Sequence, residues 1–266
     1  MGKVISVVAL KGGVGKTSSV VALGSALADF KQSVLLVDAN LSAPNLGYHL
    51  NIIDPEITLH DVLARTANIK DAIYEFNEKF HVLPASMFSR VKVNPLKLKD
   101  KLSYWKKKYD YVIIDSSPAL NDETLAAMLA ADEIFVVTTP DLPTLSTTLK
   151  AVKLARQRDT PIVGLILNKV HNKNFELSLK DIEETSEVPV MAVVPYDINV
   201  LKALSKFIPS VDHKPKSEVA QEFLRLAGSL VGREYKPARK KRFLRWLNPR
   251  KQDLNRQVYY SSFFGN

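Results

Sequence analysis

The residues from Lys11 to Thr17 have the types and the spacing of a phosphate-binding loop. The run Lys11-Gly12-Gly13-Val14-Gly15-Lys16-Thr17 follows an apolar, strand-like segment and opens a stretch with helical spacing, which is the setting that such a loop requires. Glycine permits the positive φ angles at which backbone N–H groups converge on phosphate oxygens. Lys16 would neutralise the β- and γ-phosphates, and the Thr17 hydroxyl would reach Mg²⁺. The motif therefore predicts a site for a nucleoside triphosphate with Mg²⁺.

Two aspartates end apolar runs elsewhere in the chain. Asp38 closes the run that begins at Leu35, and Asp115 closes the run that begins at Tyr111. Ligands of parallel sheets bind at the carboxyl ends of the strands, so both carboxylates are candidates to hold Mg²⁺ through water. Strand-ending aspartates also cap the helices that follow them. Because the chain also has the phosphate-binding loop, we favour Mg²⁺ binding over helix capping for these two aspartates.

Apolar runs of strand length alternate with stretches of helical spacing. Strands are predicted at Val4 to Leu10, Ser33 to Val37, Phe80 to Leu83, Tyr111 to Ile114, Ile134 to Thr138, Ile162 to Leu167 and Val190 to Val194. Helices are predicted near Thr17 to Phe30, Asn94 to Lys107, Asp122 to Ala131, Thr144 to Arg158, Glu176 to Ser186, Val200 to Lys206 and Lys216 to Val231. Several strands are apolar throughout, as strands covered on both faces are. The sequence predicts an α/β fold with a mainly parallel central sheet and helices on both faces.

Composition limits the chemistry that the chain can carry. Its 266 residues, 46% hydrophobic and 24% charged, suit one large core. The absence of cysteine excludes disulfides, thiolate zinc sites, iron–sulfur ligation and cysteine nucleophiles. No apolar run approaches the roughly 20 residues of a membrane-spanning helix, and no signal peptide opens the chain. We expect a cytoplasmic protein.

The positive charge is concentrated at the end of the chain. Residues 233–266 hold ten basic residues against two acidic ones, a balance of +8, and since the whole chain carries +9, residues 1–232 carry only +1. The sequence therefore predicts a domain over 1–232 and a basic tail over 233–266. A concentrated basic tail indicates an electrostatic partner of its own.

Within the tail, one short stretch has the pattern of an interfacial helix. Phe243, Leu244, Trp246 and Leu247 fall on one helical face, and basic residues occupy the other. This pattern is typical of a segment that lies at an anionic membrane surface. The following residues include the aromatic pairs Tyr259-Tyr260 and Phe263-Phe264. Insertion into a membrane, binding to a partner and folding back onto the domain are all open for them.

The loop sequence, unchanged, is the KGGVGKT motif of the MinD/ParA family of deviant Walker A ATPases, and the chain resembles that family over most of residues 1–232. The resemblance implies the P-loop NTPase fold, Mg²⁺ and ATP as ligands, and a homodimer that encloses the nucleotides. In the family the early lysine reaches the partner's nucleotide, a role it assigns to Lys11, where it stabilises transition-state charge as an arginine finger does. Lys16 is the second catalytic lysine, and Ser18 is assigned to the nucleotide with the loop.

Shorter segments extend the resemblance. Asp38, Asn40 and Asn45 follow the pattern of the family's switch I, and residues 111–116 resemble its Walker B and switch II region. The segment containing Asn168 and the turn from Pro195 to Asp197 resemble the adenine side. The amide of Asn168 would bind the base edge, and the turn would line the opposite side. The basic stretch before Pro249 resembles the C-terminal membrane-targeting helix of MinD proteins.

One position departs from the family. Many relatives have an aspartate that positions or activates the attacking water where this chain has Asn40. Asparagine accepts no proton at neutral pH, although its carbonyl can orient a water. We therefore expect hydrolysis to be slow, with Asp38 as an alternative group for the role.

Taken as a family member, the chain is expected to be an ATP-dependent switch that positions a cellular structure. ATP would pair two copies, the two tails would bind the cytoplasmic face of the membrane, and an activating protein partner would stimulate hydrolysis and release. A partition ATPase of the ParA type, holding DNA nonspecifically, is the main alternative. Iron–sulfur relatives of the fold need cysteines that the chain lacks, and a tyrosine kinase module has only Tyr259-Tyr260 in its favour.

Overall fold

The computed structural model describes residues 2–235 and 250–261. Eight strands form one sheet in the order β3-β4-β2-β5-β1-β6-β7-β8. Their bounds are β1 Lys3–Val8, β2 Val34–Asp38, β3 Tyr74–Phe76, β4 Phe80–Leu83, β5 Tyr111–Asp115, β6 Glu133–Thr138, β7 Ile162–Val170 and β8 Val190–Pro195. All pairings are parallel except the one between β3 and β4. The predicted α/β fold with a mainly parallel sheet is confirmed.

Helices cover both faces of the sheet. Their bounds are α1 Lys16–Asp29, α2 Leu46–His49, α3 Leu59–Ala64, α4 Leu98–Ser103, α5 Asp122–Ala130, α6 Leu142–Gln157, α7 Leu179–Ser186, α8 Ile198–Leu204, α9 Ser210–His213, α10 Glu218–Leu230 and α11 Lys251–Ser261. On one face α1, α9 and α10 pack over the sheet, and on the other lie α3 to α7. Strands β2 and β5 are buried at every residue, which explains why their sequences are apolar throughout.

The seven predicted strands are all present, with ends shifted by a few residues. The sequence pattern missed β3, because three residues at a sheet edge are too short to show a period. It also missed α3, although Thr58 and Asp61 form a capping box there. The single helix predicted near Asn94 to Lys107 is divided, since 3₁₀ turns flank α4 on both sides.

The last described helix, α11, folds back onto the domain. It contacts β8 and α10, and Arg256 donates from Nη1 to the carbonyl of Met191 at 2.7 Å and to Glu222 at 3.0 Å. Asn255 donates to the carbonyl of Val190 at 2.8 Å. Since β8 is the outermost strand of the sheet, α10 and α11 together cover its free edge. Of the three possibilities for the aromatic residues, folding back holds for Tyr259, which packs against the core and donates to Glu133 at 2.9 Å.

Other predictions for the tail lie outside the described residues. They concern the amphipathic stretch with Phe243, Leu244, Trp246 and Leu247, and the pair Phe263-Phe264. Among the described residues, no helix is both long enough and apolar enough to cross a membrane.

Candidate nucleotide-binding site

The loop between β1 and α1 has the open conformation that phosphate binding needs. Gly13 and Gly15 have φ angles of 76° and 91°, which side chains rarely adopt. A Cβ atom on Gly15 would also lie 2.2 Å from Nδ2 of Asn168. Helix α1 begins at Lys16 without a side-chain cap, so its first N–H groups and the positive end of its dipole are available to an anion.

One carboxylate organises the loop lysine and threonine. Lys16 is only 7% exposed and forms an ion pair with Oδ1 of Asp115, while Thr17 donates from Oγ1 to Oδ2 of Asp115 at 2.7 Å. The sequence predicts that Thr17 and Asp115 hold the same Mg²⁺ ion. In the structure their side chains are hydrogen-bonded directly to each other. The carboxylate of Asp115 also holds Lys16, the first residue of α1.

Asp38 lies beside Asp115, because β2 and β5 pair in register with these residues opposite each other. Burial and the neighbouring charge of Asp115 raise the pKa of Asp38 to about 7. Oδ2 of Asp38 accepts from the backbone N–H groups of Asn45 and Leu46 at 3.0 and 2.9 Å. Asp38 therefore holds the start of α2 and lies beside a second carboxylate. A divalent cation bound there would reduce the repulsion between the two negative charges.

Asn40 has one oxygen without a partner. Its Nδ2 donates to the carbonyl of Ala43, which also accepts from Nδ2 of Asn45 at 2.8 Å. Oδ1 of Asn40 is buried and has no hydrogen-bond partner among the described residues. Buried acceptors are normally satisfied, and Asn40 lines the cleft over the loop. This oxygen can accept a hydrogen bond from a water in the cleft.

Lys11 is bound by its own chain. Its Nζ donates to Oγ1 of Thr144 at 2.7 Å and to Oδ1 of Asp141 at 3.3 Å. Asp141 also caps α6 by accepting from the N–H of Thr144 at 2.9 Å. The side chains of Lys11 and Asp141 remain about 40% exposed, at 42% and 43%. Sequence analysis missed both partners, although an aspartate three residues before Thr144 at a helix start is an N-cap signal.

Asn168 supports the loop directly. Its Nδ2 donates to the carbonyl of Val14 at 2.8 Å, and Lys169 donates to that of Gly13 at 2.6 Å. Asn168, which is predicted to bind the base, therefore uses one N–H of its amide to bind the loop. Its side-chain carbonyl oxygen stays available to a ligand. Beyond it, the ring of His171 stacks on Tyr196 at a centroid distance of 4.9 Å.

These elements enclose a cleft of about 410 Å³, which falls within the ~300–1,000 Å³ of small-molecule sites. The cleft brings together the predicted nucleotide residues Lys11, Gly12, Gly13, Val14, Gly15, Lys16, Thr17, Ser18, Asn40, Asn45, Asn168, Pro195 and Asp197. Sequence analysis missed four lining residues, His49, Pro118, Val200 and Leu201. Asp197 also caps α8, since it accepts from the N–H of Asn199 at 2.8 Å.

No pattern in the sequence indicates that His49 lines the cleft. Its ring lies 3.4 Å from Oγ of Ser18 and 3.0 Å from the carbonyl of Asn45. Burial lowers the pKa of His49, so the ring is neutral at pH 7 and adds no charge to the phosphate end of the cleft.

Comparison with known proteins places this cleft in a family. Residues 2–159 match the model of an AAA domain family, and residues 87–243 match that of the 4Fe-4S iron sulfur cluster binding proteins of the NifH/frxC family. An uncharacterised ATP-binding protein of Methanocaldococcus jannaschii is 38% identical over 242 residues, 90% of this chain and 91% of that protein. The crystal structure of the cell division ATPase MinD of Pyrococcus furiosus superposes with a TM-score of 0.83 at 35% identity, over 87% of this chain and 99% of that one. The chain belongs to the MinD/ParA family.

A second relative has a solved structure with bound nucleotide and magnesium. The septum site-determining protein MinD of Pyrococcus horikoshii, complexed with Mg-ADP, superposes with a TM-score of 0.82 at 35% identity, over 86% of this chain and 96% of that one. The resemblance inferred from the loop is therefore confirmed. The NifH/frxC match reflects the shared fold, because this chain has no cysteine to ligate a cluster.

The residues of this MinD/ParA protein fit Mg²⁺ bound together with a nucleotide. In the described part of the chain, no group of three or more His, Asp or Glu could hold a metal by itself. Mg²⁺ in nucleotide sites typically takes one or two protein oxygens and completes its shell with phosphates and water. Thr17 lines the cleft, and the buried carboxylates of Asp115 and Asp38 lie next to it, so these three side chains are the candidates for the protein oxygens. A Cβ atom on Gly12 or Gly13 would meet no atom within 4 Å, which leaves room for phosphates.

Proposed function

We propose that this chain binds ATP with Mg²⁺ in the cleft, pairs with a second copy across the bound nucleotides, and hydrolyses ATP slowly to ADP and phosphate. The observation that carries the proposal is the position of Lys11. It is a second lysine at the phosphate loop, yet its ammonium binds Asp141 and Thr144 instead of converging with Lys16 on Asp115. A partly exposed cation beside an anion site is suited to reach the nucleotide of a neighbouring copy.

The hydrolytic role follows from the groups that surround the cleft. Lys16 and the N–H groups of the loop and α1 would hold the phosphates, and Lys11 of the second copy would stabilise the charge that develops on them. Bound Mg²⁺ would supply further charge neutralisation at the phosphate oxygens. Oδ1 of Asn40 would orient the attacking water but could not take its proton. Positioning without proton transfer predicts slow turnover.

The membrane role rests on the tail. Trp246 and its apolar neighbours, which lie outside the described residues, face away from the basic residues on a helical projection. One such short anchor binds marginally, whereas two anchors on one dimer bind together. ATP binding would thereby control attachment to the cytoplasmic face of the membrane. This cycle would let the protein position a cellular structure, with an activating protein partner for release.

Vesicle sedimentation tests the proposal as a whole. Wild-type protein should pellet with vesicles of phosphatidylserine and phosphatidylcholine chiefly when ATP is present, and little with ADP or without nucleotide. Lys16→Ala should lose this ATP dependence, because it removes the cation that binds the phosphates. Equal pelleting in all three nucleotide states would contradict the proposal that ATP controls membrane attachment.

A matched pair of variants tests the tail. Trp246→Glu places a carboxylate, costly to desolvate, on the apolar face, while Arg242→Glu makes the larger charge change without touching that face. Trp246→Glu should weaken pelleting more. If both variants behave alike, the amphipathic anchor is wrong. Binding to duplex DNA of equal phosphate concentration, stronger than binding to vesicles, would favour the alternative of a ParA-type partition ATPase.

A further inference from the structure

Helix α2 is one turn long and is held at both of its ends. The N–H groups of its N-cap, Asn45, and of its first residue, Leu46, donate to Oδ2 of Asp38 at 3.0 and 2.9 Å. At its last residue, Nε2 of His49 lies 3.4 Å from Oγ of Ser18 in the first turn of α1. A single helical turn gains little stability from its own hydrogen bonds. The position of α2 at the cleft therefore depends on these outer contacts.

Both ring nitrogens of His49 are engaged, and their partners assign its proton. Nδ1 lies 3.0 Å from the carbonyl oxygen of Asn45, which can only accept, so Nδ1 carries the proton. Nε2 of the neutral ring has a lone pair and accepts from the hydroxyl of Ser18. Burial lowers the pKa of His49 and thereby favours the neutral form. The ring joins the backbone of α2 to a side chain of α1.

Apolar packing alone does not fix how α2 is oriented toward α1. Leu46 and Leu50 are buried in the core, but apolar contact is non-directional, so it sets the depth of the helix and leaves its rotation free. The chain turns back directly after α2, since a Cβ atom on Gly47 would lie 2.4 Å from the carbonyl oxygen of Ile52. The hydrogen bond of His49 adds a directional contact to the helix that follows the phosphate loop.

The loop that leads into α2 carries Asn40. Nδ2 of Asn40 and Nδ2 of Asn45 donate to one acceptor, the carbonyl of Ala43. Oδ1 of Asn40 lines the cleft side of this loop as a buried acceptor without a partner among the described residues. Because Asn40 and Asn45 share an acceptor, a rotation of α2 relative to α1 changes the direction in which the oxygen of Asn40 points.

The same geometry argues against His49 as a direct phosphate ligand. Phosphate oxygens accept hydrogen bonds, so a histidine that binds one needs a proton on the nitrogen that faces it. In His49 the nitrogen directed at the first turn of α1 is Nε2, which carries the lone pair. The arrangement favours a residue that positions its neighbours.

We propose that His49 is a positioning residue for ATP hydrolysis: its hydrogen bond with Ser18 holds α2, and through α2 the water-orienting oxygen of Asn40, in register with the phosphate loop. This inference rests on the proposed function and assigns a further residue to the same site. In this role His49 acts through Asn40 and not on the phosphates. Its loss slows the chemical step and leaves ATP binding largely intact.

Two substitutions of His49 separate the hydrogen bond from the volume of the ring. His49→Leu removes the acceptor and should slow single-turnover hydrolysis roughly ten-fold, within the ~100-fold that a small misplacement can cost. The Kd for Mg-ATP should stay within about two-fold of wild type, because Lys16 and the loop are unchanged. His49→Gln should hydrolyse within about three-fold of wild type, since its amide oxygen can accept from Ser18 in place of Nε2.

The possible outcomes distinguish this inference from the proposed function. If wild type binds and hydrolyses ATP but His49→Leu is equally fast, or His49→Gln is as slow as His49→Leu, the positioning role is wrong and the proposed function stands. A loss of ATP affinity that accounts for the slower rate would also overturn it. Wild type that fails to bind Mg-ATP would contradict the proposed function, and this inference with it.

A double-mutant cycle tests whether His49 acts through Ser18. Ser18→Ala removes the hydroxyl that donates to Nε2. If both side chains act through this one bond, Ser18→Ala combined with His49→Leu should hydrolyse within about two-fold of the slower single variant, whereas independent effects multiply. Rates that multiply would show that His49 does not work through Ser18, which overturns the assignment.

The tautomer of His49 provides a readout that needs no turnover. The chain has five histidines, and the ¹⁵N NMR signals of this ring are those that disappear in His49→Gln. At pH 7, Nδ1 should carry the proton and Nε2 the lone pair, both in free protein and with Mg²⁺ and a non-hydrolysable ATP analogue. A proton on Nε2 in the bound state would make His49 a phosphate ligand and would overturn its positioning role.

Discussion

Lys11 and Lys16 lie in one loop, yet their surroundings give them different roles. Lys16 is buried against Asp115, whereas Lys11 is held by Thr144 and the half-exposed Asp141. An exposed ion pair contributes only about 0–1 kcal/mol, so the contact of Lys11 can break when a better anion approaches. The bound and released positions of Lys11 therefore differ by little free energy.

We predict that Lys11→Ala leaves ATP binding by the monomer within about two-fold of wild type and abolishes the ATP-dependent dimer, because it removes a contact made only across the interface. Asp141→Asn keeps an acceptor for the α6 cap but removes the charge that holds Lys11. It should lower the ATP concentration for half-maximal dimerisation by up to about five-fold. Calorimetry and gel filtration measure the two effects. A dimer that persists in Lys11→Ala contradicts the assignment.

A further prediction concerns the orphaned oxygen of Asn40. Asn40→Asp places a general base where the native side chain can only orient water, so single-turnover hydrolysis should rise by roughly ten-fold or more. The new carboxylate would lie near Asp38, whose pKa is already raised, so Mg²⁺ affinity must be measured alongside. Asn45→Asp, a neighbouring amide on the same carbonyl, is the control. Equal rates in wild type and Asn40→Asp would show that another step limits turnover.

The residues that sequence analysis found are those with a local signature. Gly13, Gly15, Lys16 and Thr17 lie within one motif, so their spacing alone predicts their geometry. Asp141 contacts Lys11, 130 positions away, and His49 contacts Ser18, 31 positions away. No local pattern records such contacts, because they depend on how the strands are ordered in the sheet.

At the scale of elements, α11 shows how a charged helix is held on the domain. Glu222 of α10 is 1% exposed and binds Arg256, Arg250 and Arg225, and it accepts from the N–H of Val193 in β8 at 3.0 Å. Burial would raise the pKa of Glu222, but the arginine charges, Arg256 first, outweigh it and hold that pKa below its usual value. The helix was missed because its sequence is polar and its apolar spacing is weak. Its docking depends on buried charge instead of a hydrophobic face.

We predict that Glu222→Gln lowers the free energy of unfolding by about 3–5 kcal/mol, because it removes the buried carboxylate that Arg256, Arg250 and Arg225 share and leaves Arg256 with Asp253 alone. Urea denaturation measures the loss. Since the pKa of Glu222 is depressed in the folded state, its stabilisation is present above about pH 4.5, the unfolded value, and is lost as the pH falls through the folded pKa. The difference between variant and wild type should therefore shrink in acid.

The control for this prediction is Glu184→Gln, which breaks the exposed pair with Lys180 within α7. Exposed pairs of this kind contribute about 0.3–0.5 kcal/mol, so its effect should be small. If Glu222→Gln is no more destabilising than this control, the buried arginine cluster does not hold α11.

At the scale of the whole molecule, the strand ends set the place of the nucleotide cleft. The carboxyl ends carry the cleft, whereas Tyr235 packs against Phe30 and Arg250 binds Glu222 of α10. Doubly wound sheets place ligands at the carboxyl ends as a matter of topology, which the sequence could predict.

The proposed coupling of pairing to membrane binding leads to a prediction about linkage. If ATP-driven pairing strengthens membrane binding, then membrane binding must strengthen pairing by the same factor, because coupling between two equilibria is reciprocal. Phosphatidylserine vesicles should therefore lower the ATP concentration for half-maximal dimerisation by about ten-fold, within the ~5–150-fold range typical of such coupling. Pairing can be followed by energy transfer between dyes on an introduced cysteine at Lys153, which is unique because the chain has none.

Two controls make the result specific. Vesicles of phosphatidylcholine alone carry no net charge and should leave the ATP midpoint unchanged, since the basic residues find no anionic surface. Trp246→Glu, which weakens the anchor without touching the cleft, should abolish the shift produced by anionic vesicles. If anionic vesicles leave the midpoint of the wild type unchanged although the protein pellets with them, attachment and pairing are independent. The ATP switch would then have to act through something other than the number of anchors.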